Sequence, residues 1–179
     1  AALPASDDYP GTLLVASGGL KTDAVGAMVY RLITPGGDTV IDAGLSPDQA
    51  MAAGFSDYDA AAQRTVDAWL SNARRIVFTG QDIDHIGGLT ASPSRAVLAE
   101  RTIANPDQAR RISQLVPAQA LAQAVKQHPG DYAAIAPGVV MLHTPGHTPG
   151  SQMLYVPPAR GRGLLFAGER LAMERELTW

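Results

Sequence analysis

Residues 80–88, Gly80-Gln81-Asp82-Ile83-Asp84-His85-Ile86-Gly87-Gly88, put two carboxylates and an imidazole almost side by side. They follow Arg75-Ile76-Val77-Phe78-Thr79, a compact run with an apolar centre that reads as a strand, so the polar side chains gather at a strand end. Oxygen and nitrogen donors crowded at such an end are held by a rigid element and still face an open cleft, which is what a catalytic metal needs. Adjacent Asp84 and His85 can point to different sides, so a pair of metals could share this loop. The same residues also suit a plainer role, in which Asp82 and Asp84 form a turn or cap the following helix and His85 is merely polar.

A second segment, His143-Thr144-Pro145-Gly146-His147-Thr148-Pro149-Gly150-Ser151, is just as unusual. Its prolines and glycines fix a backbone path that can present His147 from a stiff loop between two strands. Histidine is the commonest metal ligand and is neutral near pH 7. His143, at the end of the strand-like run 138–143, reads as part of the inter-strand connection. His128, beside a helix-ending Pro-Gly, reads as structural too.

The elements that must position these loops alternate. Residues 12–17 and 27–34 are rich in β-formers, and Pro35-Gly36-Gly37-Asp38 supplies a hairpin turn before a strand at 39–42. A helix is expected over 58–72, where Ala61, Ala62, Thr65, Val66, Trp69 and Leu70 share one face and Asp57 or Asp59 serves as N-cap. Residues 95–99 read as a strand. Residues 106–115 and 117–127 read as helices with a proline in the first turn. Strands follow at 138–143, 151–156 and 163–167. Such alternation without a linker tract predicts one layered α/β or α+β domain over residues 1–179.

Composition narrows the function further. The chain has 179 residues, 46% of them apolar and 17% charged, enough to bury a core. A formal charge of −3 with no basic run leaves nucleic acid and anionic membrane surfaces as poor partners, and no apolar stretch is long enough to span a bilayer. With no cysteine, thiolate zinc sites, iron–sulfur clusters and cysteine nucleophiles are excluded. A small-residue start, Ala-Ala-Leu-Pro-Ala, fits the end left by signal-peptide cleavage and favours a periplasmic or secreted location over a cytoplasmic one. No G-x-G-x-x-G opens a helix, no phosphate-cradling GK[ST] occurs, and no nucleophile elbow supports a serine triad.

Asp84–Gly88 (DHIGG) and Thr144–Ser151 (TPGHTPGS), with Leu164–Glu169 (LLFAGE) and Val40–Gly44 (VIDAG), resemble in order and spacing the metallo-β-lactamase fold superfamily of hydrolases. The resemblance covers roughly residues 12 to 170 and is nearest to its bacterial, lactonase-like branch. It implies an αββα sandwich with metals at the sheet edge, its C-terminal half incomplete in this chain. It also implies five ligands, Asp82, Asp84, His85, His147 and Glu169, with Asp84 orienting or deprotonating the attacking water. The family's first motif is usually His-x-His-x-Asp-His, and here Gly80 replaces its first histidine and Asp82 its second. Glu169 stands where the family carries a bridging aspartate. The expected cofactor is a divalent metal, zinc first, with manganese or iron admitted by the oxygen-rich donor set. The expected partners are a small ester or lactone and a second copy of the chain covering an open sheet edge. The alternative implied by Gly80 is a family member without turnover that serves as a binding or structural module.

Overall fold

The computed structural model describes residues 1–10, 22–116, 119–128, 130–158 and 161–168. In chain order these form β1 (Ala5–Pro10), β2 (Thr22–Gly26), β3 (Tyr30–Leu32), β4 (Thr39–Ile41), α1 (Pro47–Ala53), β5 (Asp57–Tyr58), α2 (Ala60–Asn72) and β6 (Arg75–Val77). Then come α3 (Ile83–Ala91), α4 (Arg95–Ala99), β7 (Thr102–Ala104), α5 (Pro106–Leu115), α6 (Gln119–Ala124) and β8 (Lys126–Gln127). The last elements are β9 (Tyr132–Ala136), β10 (Val139–His143), β11 (Gln152–Val156) and β12 (Leu164–Phe166).

Two neighbouring strands decide the layering. Val40 and Ile41 in β4, and Ile76 and Val77 in β6, are all fully buried, although successive strand side chains face opposite ways. A strand apolar on both faces must be covered on both. Val40 and Ile76 pack with Val66, Leu70, Ile86, Leu89 and Ile112 of the helices. Ile41 and Val77 pack the other way, against Ala136, Val139 and Leu154. The helical layer therefore covers one face of a sheet ordered β3-β4-β6-β7-β8, and a sheet ordered β12-β11-β10-β9 covers the other. The first sheet is parallel except for the β3–β4 hairpin. The second is antiparallel. A smaller sheet, β2-β1-β5, joins the N-terminal residues to the segment before α2. This mixed α/β architecture supplies the helix, sheet and sheet layers of the expected sandwich; a fourth, outer helical layer is not among the described residues.

Most expected elements form, with shifts that have physical causes. The hairpin turn closes as expected, Gly37 N–H donating to the Thr34 carbonyl at 2.9 Å. The first expected strand, residues 12–17, lies outside the described residues, and the run 27–34 is strand only over β3. The helix expected at 58–72 begins at Ala60, where Asp59 accepts the N–H groups of Ala61 and Ala62 at 2.8 and 2.9 Å. Residues 95–99 are helix α4, not a strand. Arg, Ala and Leu are strong helix formers, and Leu98 and Ala99 reach the core from a helical turn. The expected helix at 117–127 is helical over α6. Lys126 and Gln127 are strand instead, because the open edge of β7 pairs with them in parallel.

Candidate metal centre

Parallel β4 and β6 end together, which brings Asp42 and Thr79 side by side beyond their C-terminal ends. Asp42 N–H donates to the Val77 carbonyl at 2.8 Å. Its φ of 66° lies in the left-handed region, which aspartate tolerates better than most residues. The carboxylate is buried at 3% exposure. It accepts the Thr79 backbone N–H at 2.7 Å and the Thr79 hydroxyl at 2.6 Å.

That arrangement dictates how His85 is held. Its Nδ1 lies 3.2 Å from Asp42 Oδ1 and 3.1 Å from Thr79 Oγ1. The Thr79 proton already points to Asp42, so both oxygens face Nδ1 as acceptors, and this network assigns the ring proton to Nδ1. In the neutral ring the lone pair then sits on Nε2, which faces Asp84 Oδ2 at 3.5 Å. An imidazole nitrogen and a carboxylate oxygen on the same side are a pair that suits a proton or a metal ion between them. A metal-ligating histidine characteristically ties its other ring nitrogen to a carboxylate in this way.

The glycines of the DHIGG run make this geometry possible. A Cβ on Gly88 would lie 2.0 Å from the Ala43 carbonyl oxygen, and one on Gly87 would lie 3.1 Å from that of Gly44. Helix α3 can therefore press against the 42–45 turn, where Gly88 N–H donates to the Gly44 carbonyl and Ala43 N–H to that of His85. Buried Gln63 braces the same turn by donating to the Ala43 carbonyl and accepting from Leu45 N–H. Asp82 occupies the N-cap position of α3, as the plainer reading expects, but its side chain makes no capping hydrogen bond.

The second loop closes on itself through Ser151, whose Oγ accepts Thr148 N–H at 3.0 Å and whose carbonyl accepts Thr144 N–H at 3.1 Å. Its tip carries His147, with Nε2 3.9 Å from Asp82 Oδ2 and side chains 60% and 45% exposed. A buried amide network fixes this loop to the first. Gln108 donates to the Phe78 carbonyl at 3.2 Å and to the Gly150 carbonyl at 2.8 Å, Gln152 also donates to Phe78, and Asn105 also donates to Gly150. His143 is spent within the loop, donating from Nε2 to the Pro149 carbonyl at 3.0 Å. His128 follows β8, and its N–H donates to the Ala104 carbonyl at 2.9 Å.

The expected donors thus form two carboxylate–imidazole pairs, Asp84 with His85 and Asp82 with His147. Glu169 lies outside the described residues. Among the described residues no three His, Asp or Glu side chains converge closely enough to hold a metal ion. The donor chemistry nonetheless fits a divalent metal, with an oxygen and a nitrogen in each pair and one imidazole fixed in its orientation through Nδ1. Sequence reasoning used the 40–44 run only as part of the resemblance, without singling out Asp42, and read Thr79 only as the end of a strand. The available signal was an aspartate directly after the buried apolar pair Val40-Ile41.

No curated protein matches the chain in sequence. Among solved structures, a quorum-quenching N-acyl homoserine lactone lactonase superposes with a TM-score of 0.67 at 18% identity, over 92% of this chain and 70% of that one. An N-acyl homoserine lactone hydrolase with the product N-hexanoyl-L-homoserine at its catalytic metal centre gives 0.67 at 16% identity, over 92% and 71%. A "probable metal-dependent hydrolase" from Staphylococcus aureus gives 0.64 at 15% identity, over 92% and 69%. These likenesses are of fold. The sequence pattern of the metallo-β-lactamase superfamily matches residues 22–169, well over half of the chain, and the chain belongs to that superfamily.

Proposed function

We propose that the chain is a metal-dependent hydrolase of small lactones or esters, its metal held by Asp82, Asp84, His85, His147 and Glu169. The observation that carries this reading is the fixed His85 ring, tied through Nδ1 to buried Asp42 and Thr79 and facing Asp84 with Nε2. A divalent metal, zinc first and manganese or iron next, supplies a Lewis acid and lowers the pKa of water when bound. The chain's own part is to hold donors and move a proton. Asp42 and Thr79 stop the imidazole from turning. Asp84, partly open to solvent, accepts the proton of the attacking water and can deliver it to the departing oxygen.

A cavity of about 350 Å³ beside α3 supplies room for a substrate. Ile83, between the two aspartates, lines it together with Ala52, Leu115 and Val116, while Arg111 adds one cation. Mostly apolar walls, with Gln49 and Thr90 as polar contacts and Arg111 as the charge, suit an acyl chain ending in a carbonyl group. The lactonases of the same fold support a lactone as the first substrate to try.

The test is a hydrolysis screen of N-acyl homoserine lactones, aryl esters and a β-lactam, with zinc- or manganese-loaded wild-type chain and Asp84→Asn. Lactone or ester opening that Asp84→Asn abolishes supports the reading. Turnover that Asp84→Asn leaves intact refutes the role of Asp84. A second reading, a binding module without turnover, is favoured by Gly80 at a family ligand position and by the lack of three converging donors among the described residues. Metal binding with no turnover on any of the three substrate classes decides for it.

A further inference from the structure

At the opposite ends of the parallel strands lies a cavity of about 350 Å³ lined by Arg74, Arg75, Arg101 and Lys126, with Glu100 the one acidic residue among the described residues. Along β6 it is separated from Thr79 by about 13 Å of extended chain, so it is distinct from the metal centre. A chain with a net charge of −3 gathers four of its 14 lysines and arginines here. Among the described residues none of the four is ion-paired with a carboxylate; the arginine–carboxylate pairs lie elsewhere, at Arg31–Asp38 and Arg110–Asp107.

Structural duties account for only part of the cluster. Arg101 donates to the carbonyls of Ser71 and Ala73 and so caps the C-terminal end of α2. Arg75 donates from Nη2 to the Gly36 carbonyl at 3.2 Å, but its Nη1 is shielded from water and has no acceptor among the described residues. Lys126 and Arg74 are exposed and make no side-chain hydrogen bond among the described residues. Four cations gathered around a single carboxylate repel one another, and a bound anion relieves that repulsion.

We propose that this cavity binds a phosphoryl group, as free phosphate or as a small phosphate ester. The guanidinium forks of Arg74 and Arg75 match its tetrahedral oxygens, a slight turn of Arg75 gives Nη1 its missing acceptor, and Lys126 adds a point charge. Ile103 and Ile135, on the cavity wall, offer a surface for the carbon body of an ester. Glu100 weakens binding by repulsion.

The test is calorimetric titration of the full chain with inorganic phosphate and with glycerol 3-phosphate at fixed ionic strength, chloride being the background anion. Saturable binding is expected. Arg75→Gln should weaken it roughly tenfold, the size of one charge-assisted hydrogen bond. Lys126→Gln, at an exposed side chain with no hydrogen bond among the described residues, should weaken it less, and Glu100→Gln should tighten it. Asp84→Ala should leave it unchanged, since an anion at the metal centre would respond. Tighter binding of glycerol 3-phosphate identifies an ester as the preferred form, and equal binding identifies the bare phosphoryl group. Absence of saturable binding overturns the proposal. So does binding indifferent to Lys126→Gln and Glu100→Gln, or lost in Asp84→Ala.

Discussion

Replacing Asp42 separates the two tasks that its carboxylate performs. Asp42→Ala removes the acceptor of a buried backbone N–H and of a hydroxyl, both from Thr79. Hydrogen bonds to a charged group contribute about 1.5–3 kcal/mol each. Alanine also tolerates the left-handed φ of 66° less well than aspartate, a further fraction of the roughly 1–2 kcal/mol left-handed penalty. The sum is about 4 kcal/mol, which for a chain of this size lowers Tm by roughly 8–16 °C. Asp42→Asn keeps one acceptor and the backbone tolerance, so its Tm should fall by about half as much. Both variants remove the negative partner of His85 Nδ1, and metal affinity should drop about 10–100-fold in each, as for other partners of ligating histidines. Thermal unfolding of the metal-free chain measures the first effect, and competition against a chelating dye measures the second. The reasoning is refuted if Asp42→Ala stays within about 1 kcal/mol of wild type, or if Asp42→Asn binds zinc as tightly as wild type.

Three further outcomes follow from the same geometry. Gly88→Ala sets a Cβ against backbone that cannot swing aside, so it should cost about 3 kcal/mol or more in urea unfolding, and Gly87→Ala, whose nearest contact is the flexible Gln49 side chain, should cost less. Gln108→Leu removes one of two donors to each of the Phe78 and Gly150 carbonyls; about 1–3 kcal/mol of stability should be lost, with weaker zinc binding as the His147 loop loosens. The N–H groups of Ala62 and Ala61 hold the Asp59 carboxyl below its ordinary pKa, so its stabilisation is complete above the unfolded value and fades as pH falls through the folded one. Asp59→Ala should therefore melt below wild type at pH 7, and the gap in Tm should close on acidification.

How much of this was legible in the sequence depends on where each element gets its stability. Strand β6 and helix α2 carry their own signals, an Ile-Val-Phe run and a helical stripe with an aspartate cap, and both form where expected. Strand β8 and helix α4 do not, because a two-residue strand exists only through its partner β7 and a five-residue helix only through the core it touches. Helix α1 went unread although Ser46-Pro47-Asp48-Gln49 is a capping box with proline in the first turn, and both reciprocal hydrogen bonds form. At the site, the residue types and loop contexts of Asp82, Asp84, His85 and His147 were readable. Their pairing was not, since it depends on Gly88 packing under the 42–45 turn and on an amide network spanning residues 78 to 152. Asp42 escaped notice because an aspartate after a strand is usually a turn residue, and only the parallel register of β4 with β6 aims it at His85.

The central claim is that these two loops hold a metal. Elemental analysis of the purified chain, dialysed against zinc and then against metal-free buffer, tests it directly, with His85→Ala, Asp84→Ala, His147→Ala and His128→Ala alongside. About one to two equivalents in wild type and in His128→Ala, with loss in the other three variants, is the predicted result. Equal metal in all five proteins, or none in any, would contradict the account.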